Sequence, residues 1–350
     1  MTTRIADLIA GRDVSRALRI LHSMPAPDST TRYATHMAAT EDLATAPTFF
    51  TWRRALFGNY DVFHLHWPEH LVPSGRTLSA VARRRLASIF IGRLERKRTP
   101  VVRTLHNLIP HDNSRPRDTT LGLHGRLQEL TRLEIHLVDG DPRRDGVRAA
   151  LIPHGSYREP YAIHVLPKTV PGRVLFFGMI KPYKGVPELL EAFALSPHGS
   201  LRIVGAPSSQ DVVALVRAAT ESDSRVSARF GFIPDEALAT EIGSAELVAL
   251  PYQELHSSGV VLVALSLGRP VLVPRTPTTE ALVREVGDEW VRVYDPPLRA
   301  ADLVAAQTWA AGASSSPPPN LTSRNWSTVR SRHGVSYRAV GSYHSRSGAE

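Results

Sequence analysis

Histidines and acids recur where apolar runs end in the first half of the chain. "DVFHLHWPEHL" (residues 61–71) carries His64, His66 and Glu69, "TPVVRTLHNLIPHD" (99–112) carries His106, Asn107, His111 and Asp112, and "AALIPHGSY" carries His154. Imidazoles and carboxylates are the side chains that exchange a proton with a hydroxyl near neutral pH. His64 and His66 are two residues apart, so they share a strand face if the strand runs that far. A metal site needs three or more converging ligands in a geometry that spacing does not define. Strand-end histidines also serve as hydrogen-bonding scaffold, and no metal is expected.

The second half offers cations and small polar residues. "VLFFGMIKPYKGVPELLEAF" (174–193) runs from β-favouring residues through Gly178, Lys181 and Lys184 into a helical pattern. Lysines beside the N–H groups of a helix start suit a phosphate or diphosphate, although an ordinary turn with solvated lysines fits the same residues. In "LPYQELHSSGVVLVALSLGRPVLVP" (250–274), Ser257, Ser258 and Gly259 stand just before an apolar helix, a second place for an anion or a plain serine cap. Together the two stretches could close on one diphosphate.

Strands alternating with helical segments must position these residues. In the first half strands are expected at 18–25, in 61–71 and 99–112, and in "IHLVDG" and "AALIPHGSY". A proline-punctuated linker covers 158–172. A second series follows, with strands at 173–177, 200–204, 226–230, 247–251, 270–273 and 290–294. This grammar predicts α/β architecture, two doubly wound Rossmann-like domains whose parallel sheets gather the loops at one edge. "AAGASSSPPPN" (310–320) reads as a flexible connector, and "SRNWSTVRSRHGVSYRAV" as a serine-capped helix.

Composition narrows the classes. The 350 residues suffice for two cores, and the absence of cysteine excludes disulfides, thiolate metal sites and cysteine nucleophiles. No apolar run approaches a membrane span and no signal-peptide core precedes the first strand, so a cytoplasmic location is expected. A net charge of +9 invites phosphorylated substrates, anionic lipid or nucleic acid. Without zinc-finger spacing or a ribonucleoprotein motif, nucleic acid is not expected as a partner. "ARRRLASIFIGRLERKR" (82–98) places Leu86, Ile89, Phe90 and Leu94 on one helical face with arginines around them, either a solvated core helix or a helix resting on anionic membrane.

"FFGMIKPYKGVPELLEAF", "RIVGAP", "RFGFIPDEAL", the 250–274 stretch and "RNWSTVRSRHGVSYRA" resemble the donor half of nucleotide-sugar glycosyltransferases of the GT-B fold. "FHLHWPEH", "RTLHNLIPHD" and "LIPHGSY" resemble acceptor-half motifs of the bacterial exopolysaccharide-type mannosyl- and glucosyltransferases. The resemblance implies an acceptor domain at 1–165, a donor domain at 172–320, a central cleft and a helix at 321–340 crossing back onto the first domain; "GSYHSRSGAE" (341–350) by itself reads as a disordered tail. It implies an NDP-sugar donor (GDP-mannose or a UDP-sugar), a sugar or lipid-linked acceptor, no separate cofactor and peripheral attachment to the inner face of the membrane. Lys184 matches the family's diphosphate-binding lysine, with Lys181, Gly178, Ser257, Ser258 and Gly259 around the donor. His106 matches a histidine near the donor sugar, with His66, Asn107 and His154 at the substrate. Glu69 or Asp112 is then the base if the reaction inverts. Two departures stand out: Met179 replaces the arginine of many retaining members, and their paired glutamates are missing around residues 256–264. A noncatalytic scaffold, or a nucleotide-sugar hydrolase or epimerase, is the rival reading.

Overall fold

A computed structural model of the protein describes residues 16–27, 32–38, 45–73, 77–106, 118–139, 142–253, 259–313 and 317–341. The chain forms two compact units, one of residues 1–137, 141–152 and 326–350, the other of 138–140 and 153–325.

The first unit is built on a six-stranded parallel sheet: β1 (Leu18–His22), β2 (Thr45–Phe49), β3 (Val62–Leu65), β4 (Val101–Leu105), β5 (Thr131–His136) and β6 (Arg148–Leu151), in the order β2-β1-β3-β4-β5-β6. Its central strands are apolar runs because both faces are covered. On one face Ile20, Val62, Val102 and Ile135 pack with Tyr33, Trp326, Val329 and Tyr337. On the other, Leu21, Phe63, Leu65 and Val101 meet Ala55, Phe90, Ile91 and Leu127. The C-terminal helix Trp326–Gly341 returns to this unit because Trp326, Val329, His333, Tyr337 and Val340 fall on one buried stripe. Arg148 donates to the Ala339 carbonyl at 3.0 Å and pins its end.

The second unit carries β7 (Arg173–Phe177), β8 (Ser200–Gly205), β9 (Val226–Phe230), β10 (Leu247–Ala249), β11 (Val271–Pro274) and β12 (Val291–Tyr294). They are parallel, in the order β12-β11-β10-β7-β8-β9. Strand order reverses beside β1 and β3 in the first sheet and beside β7 and β10 in the second. Open α/β sheets take ligands at the carboxyl ends of such strand pairs.

The structure differs from the sequence reading at several places. The stretch read as a linker belongs to the second unit, where the short helix Arg158–Tyr161 buries Tyr161 and the preceding Tyr157 in the core. Helix Ala300–Ala313 runs into the segment read as a connector. Ser323 does not cap the last helix; it sits in a 3₁₀ turn and donates to Glu285 at 2.9 Å. In helix Leu78–Arg96 the buried face is Ala80, Ala87, Phe90, Ile91 and Leu94, while Ile89 is 62% exposed. Arg93 is buried and bonds the Tyr60 hydroxyl and the Gly58 carbonyl, so it is not part of the solvated basic face. The tail from residue 342 lies outside the described residues.

Candidate active site

The carboxyl end of β7 turns through Gly178, at φ 107, where a side chain would disfavour the left-handed backbone. Gly205, ending β8, packs so closely that a Cβ there would collide with the Gly178 carbonyl oxygen. Ile180 N–H donates to the Ala206 carbonyl and Ser208 N–H to the Ile180 carbonyl, tying the two loops together. A 3₁₀ turn, Pro182–Lys184, then passes through Gly185 at φ 69 into helix Val186–Ala194. Pro251, just after β10, touches Gly185 closely enough to exclude a Cβ. The loops of the switch-point strands β7 and β10 are therefore in contact.

Lys184 is folded inward there, 9% exposed, with its ammonium 4.7 Å over the Tyr252 ring. Among the described residues no carboxylate pairs with it. Burial, then the nearby Lys181 charge, pushes it down to about 8. The Tyr252 hydroxyl is buried with no hydrogen-bond partner among the described residues, and burial pushes its pKa up. A buried cation with no carboxylate partner among the described residues, beside an unsatisfied hydroxyl, suits an anion from outside. Lys181 is half-buried, 5.7 Å from the Tyr183 ring, and Met179 is 50% exposed. Gly259 opens helix Gly259–Ser266, whose buried residues run from Val261 to Leu265. Ser257 and Ser258 lie outside the described residues.

In the first unit the corresponding edge is a cluster of imidazoles. Register pairs His22 of β1 with His64 of β3. His64 shares hydrogen bonds with the Tyr337 hydroxyl at 2.7 Å and the Thr104 hydroxyl at 2.8 Å. His66 follows on the same face, its ring 4.0 Å from that of His64. Its Nε2 is 3.0 Å from His22 Nδ1 and its Nδ1 is 3.2 Å from His106 Nε2. His106 stacks on Trp67 at 4.3 Å and meets Tyr33 edge-on at 5.3 Å. His333 donates from Nδ1 to the Val329 carbonyl at 2.8 Å, and its buried Nε2 has no partner among the described residues. Burial, then the other imidazoles, holds His22 down at about 3 and His64 and His66 well below the ordinary value; burial holds His333 at about 4. All four are neutral at physiological pH.

His22, His64 and His66 also have ring nitrogens within 4.8 Å of one another, as metal ligands do. The ring positions favour hydrogen bonding. Covalent geometry puts each nitrogen about 1.1 Å from its ring centre. For an N–H aimed straight at the facing lone pair, the two nitrogen separations then give ring-centre distances of about 5.2 and 5.4 Å. The observed distances are 5.3 Å for His22–His66 and 5.5 Å for His66–His106. Nitrogens meeting in line at 3.0 Å leave no room for an ion bonded at about 2.0 Å to each, which requires splayed rings.

Of the residues singled out in the sequence, His66 and His106 are brought together, as are Gly178, Lys181 and Lys184. Glu69 belongs elsewhere. It lies in helix Pro68–Leu71, and its charge is felt at Arg103 and His124, on the opposite face of β4 from Thr104. His154 lies in the second unit, its Nδ1 donating to the Gly155 carbonyl at 2.8 Å and burial holding it at about 4. Asn107 and Asp112 fall outside the described residues. His22, His333, Tyr337 and Tyr252 were missed; only the position of His22 at the end of a strand could have marked it.

Residues 171–307 match the family model of glycosyl transferases group 1. Over 323 residues the chain is 38% identical to a GDP-mannose:glycolipid 4-beta-D-mannosyltransferase of Xanthomonas campestris pv. campestris, covering 91% of this chain and 92% of the relative. This chain belongs to the GT-B glycosyltransferases. Two solved structures share the fold of this transferase. Sucrose-phosphate synthase from Thermosynechococcus elongatus is 15% identical with a TM-score of 0.62, covering 94% of this chain and all of the other (100%). Anabaena HepE in complex with UDP is 16% identical with a TM-score of 0.61, covering 92% and 100%. The enzyme is thus a hexosyltransferase, and the noncatalytic and hydrolase readings fall away. Among its described residues no helix is long and apolar enough to cross a membrane.

Proposed function

We propose that this transferase moves mannose from GDP-mannose to a hydroxyl of a glycolipid acceptor with inversion. The observation that carries the reading is the 38% identity, over nine-tenths of both chains, to a relative whose name states that donor, that acceptor class and a β product. GDP-mannose holds its sugar in α linkage, so a β product requires attack from the opposite face and a base for the acceptor hydroxyl. Lys184 suits the diphosphate: a desolvated ammonium without a carboxylate partner strengthens most against the charge that builds on the leaving group. In this reading Lys184, rather than a bound divalent ion, supplies that charge, with Lys181, Gly178 and Gly259 at the same donor. His106 takes the hydroxyl proton, its ring held flat against Trp67.

A glycolipid acceptor asks the protein to reach a membrane surface. Exposed Leu78, Arg85, Ile89 and Arg96 recur at seven-, four- and seven-residue spacing, one stripe of helix Leu78–Arg96. Such a stripe suits peripheral docking on the anionic inner leaflet. Each arginine near that surface contributes on the order of 1 kcal/mol.

Incubation of the purified enzyme with GDP-mannose or UDP-glucose and a lipid-diphosphate-linked oligosaccharide tests the reading, with nucleotide release and anomeric NMR of the product as readouts. A β-mannosyl glycolipid is expected. An α-linked product, or turnover with UDP-glucose alone, overturns it.

A further inference from the structure

We infer that His22 and His66 are positioning residues, which orient His106 through two in-line imidazole–imidazole hydrogen bonds. The inference rests on the reading of His106 as the base.

A neutral imidazole has one N–H and one lone pair, so the chain is polarised as a whole. If His106 Nε2–H donates to His66 Nδ1, His66 must carry its proton on Nε2 and donate to His22 Nδ1. His106 Nδ1 then carries no proton, the form a base requires. In the opposite polarity Nδ1 carries the proton and the ring cannot act. Holding the ring through its far nitrogen is the general way a base is oriented. Here the partners are buried imidazoles: neither His22 nor His66 has a carboxylate hydrogen-bond partner among the described residues. Stacking on Trp67 and the edge of Tyr33 fix the plane of His106, and the chain fixes its rotation within that plane.

The transfer step balances as follows. The acceptor oxygen forms its bond to the anomeric carbon while its O–H proton passes to His106 Nδ1. The bond from the anomeric carbon to the diphosphate oxygen breaks, and the diphosphate keeps the electron pair. The His106 cation donates more strongly from Nε2 to His66. Transfer of that proton inward is opposed by the burial of His66 and His22 beside His64 and His333, so it stays on His106 and leaves to water with the product.

His22→Phe keeps a ring of similar size and removes the terminal hydrogen-bond partner, and His22→Gln restores one. For His22→Phe, kcat falls about ten-fold or more with KM for GDP-mannose unchanged, and the acid limb of the pH–kcat profile shifts. His22→Gln recovers part of the loss. A folded His22→Phe enzyme with wild-type kcat and an unshifted acid limb overturns the inference. So does a tightly bound metal whose removal by chelator abolishes turnover. His106→Ala run in parallel separates the two readings: full turnover there removes His106 as base, whereas an inactive His106→Ala beside an unimpaired His22→Phe removes the chain alone. If His22→Phe does not fold, histidine ¹⁵N shifts of the wild-type protein decide. Single Nε2–H tautomers for His22 and His66, with no titration between about pH 5.5 and 8, support the chain. Nδ1–H or mixed tautomers, or titration near the ordinary histidine value, overturn it.

Discussion

Replacing Lys184 with methionine keeps the length of the side chain and removes its charge. Burial beside Lys181 pushes this ammonium down to about 8, from 10.5 for a free lysine. About nine-tenths of it is charged at pH 7 and about one-tenth at pH 9. If the ammonium holds the diphosphate, the wild-type affinity for GDP falls about ten-fold across that interval, where an ordinary surface lysine would stay charged. At pH 7 the methionine variant loses a hydrogen bond to a charged group, about 1.5–3 kcal/mol, or roughly ten- to a hundred-fold in Kd. Without nucleotide the sign reverses. A lysine whose folded pKa lies below its unfolded one destabilises the protein at every pH below the folded value, and the penalty is relieved as pH rises from about 8 to 10.5. Lys184→Met therefore stabilises the free protein near pH 7, by up to about 3 kcal/mol. Calorimetric titration with GDP at pH 7, 8 and 9, on wild type and variant side by side, separates the lysine from titration of the guanine itself; thermal melting without nucleotide gives the second sign. Equal affinities at pH 7, or an equal pH dependence in the two proteins, refutes the assignment of Lys184 to the diphosphate.

His106→Ala lowers turnover at least about a hundred-fold while GDP binding, read by calorimetry, is retained. Gly205→Ala, whose added carbon would collide with the Gly178 carbonyl, costs about 3 kcal/mol or more and abolishes GDP binding, seen as a drop in melting temperature and a silent titration. Because His22, His64, His66 and His333 are neutral when folded and gain protons when unfolded, stability falls as pH drops below about 6.5, by up to about 1.4 kcal/mol per pH unit for each; denaturant unfolding at pH 7 and 5 measures it. The protein sediments with anionic but not neutral vesicles at low salt, and Arg85→Ala with Arg96→Ala weakens this several-fold; a protein left in the supernatant with anionic vesicles removes membrane docking. Turnover survives chelators, since Lys184 is assigned the role of cation; loss of activity in EDTA contradicts that assignment.

The strands of the second unit were legible almost residue by residue, because a strand buried on both faces must be an apolar run bounded by turn residues, as in "RVLFF" and "VLVP". β2, "TAPTF", escaped because it carries a proline and little apolar periodicity; its place at the sheet edge beside β1 lets it pair on one side only. Lys181 and Lys184 could be placed at a strand end from the order of residue types alone. That Lys184 turns inward over Tyr252 could not, since it depends on β7 lying beside β10, about 70 residues further along the chain.

Local chemistry therefore lies in the sequence: which residues carry protons and charge, and which short segments become strands, helices and turns. Pairwise geometry does not. His64 and His66 share a face through the two-residue period of the strand, which any reader of "HLHW" can count. His22 joins them only because β1 pairs with β3 in one register, and His333 and Tyr337 only because the last helix returns across the same face. A shift of one residue in that pairing would turn His22 to the opposite side of the sheet. Register and helix docking are set by the fit of Ile20, Val62, Val102, Trp326 and Val329 against one another, a property of the assembled core that no single segment contains.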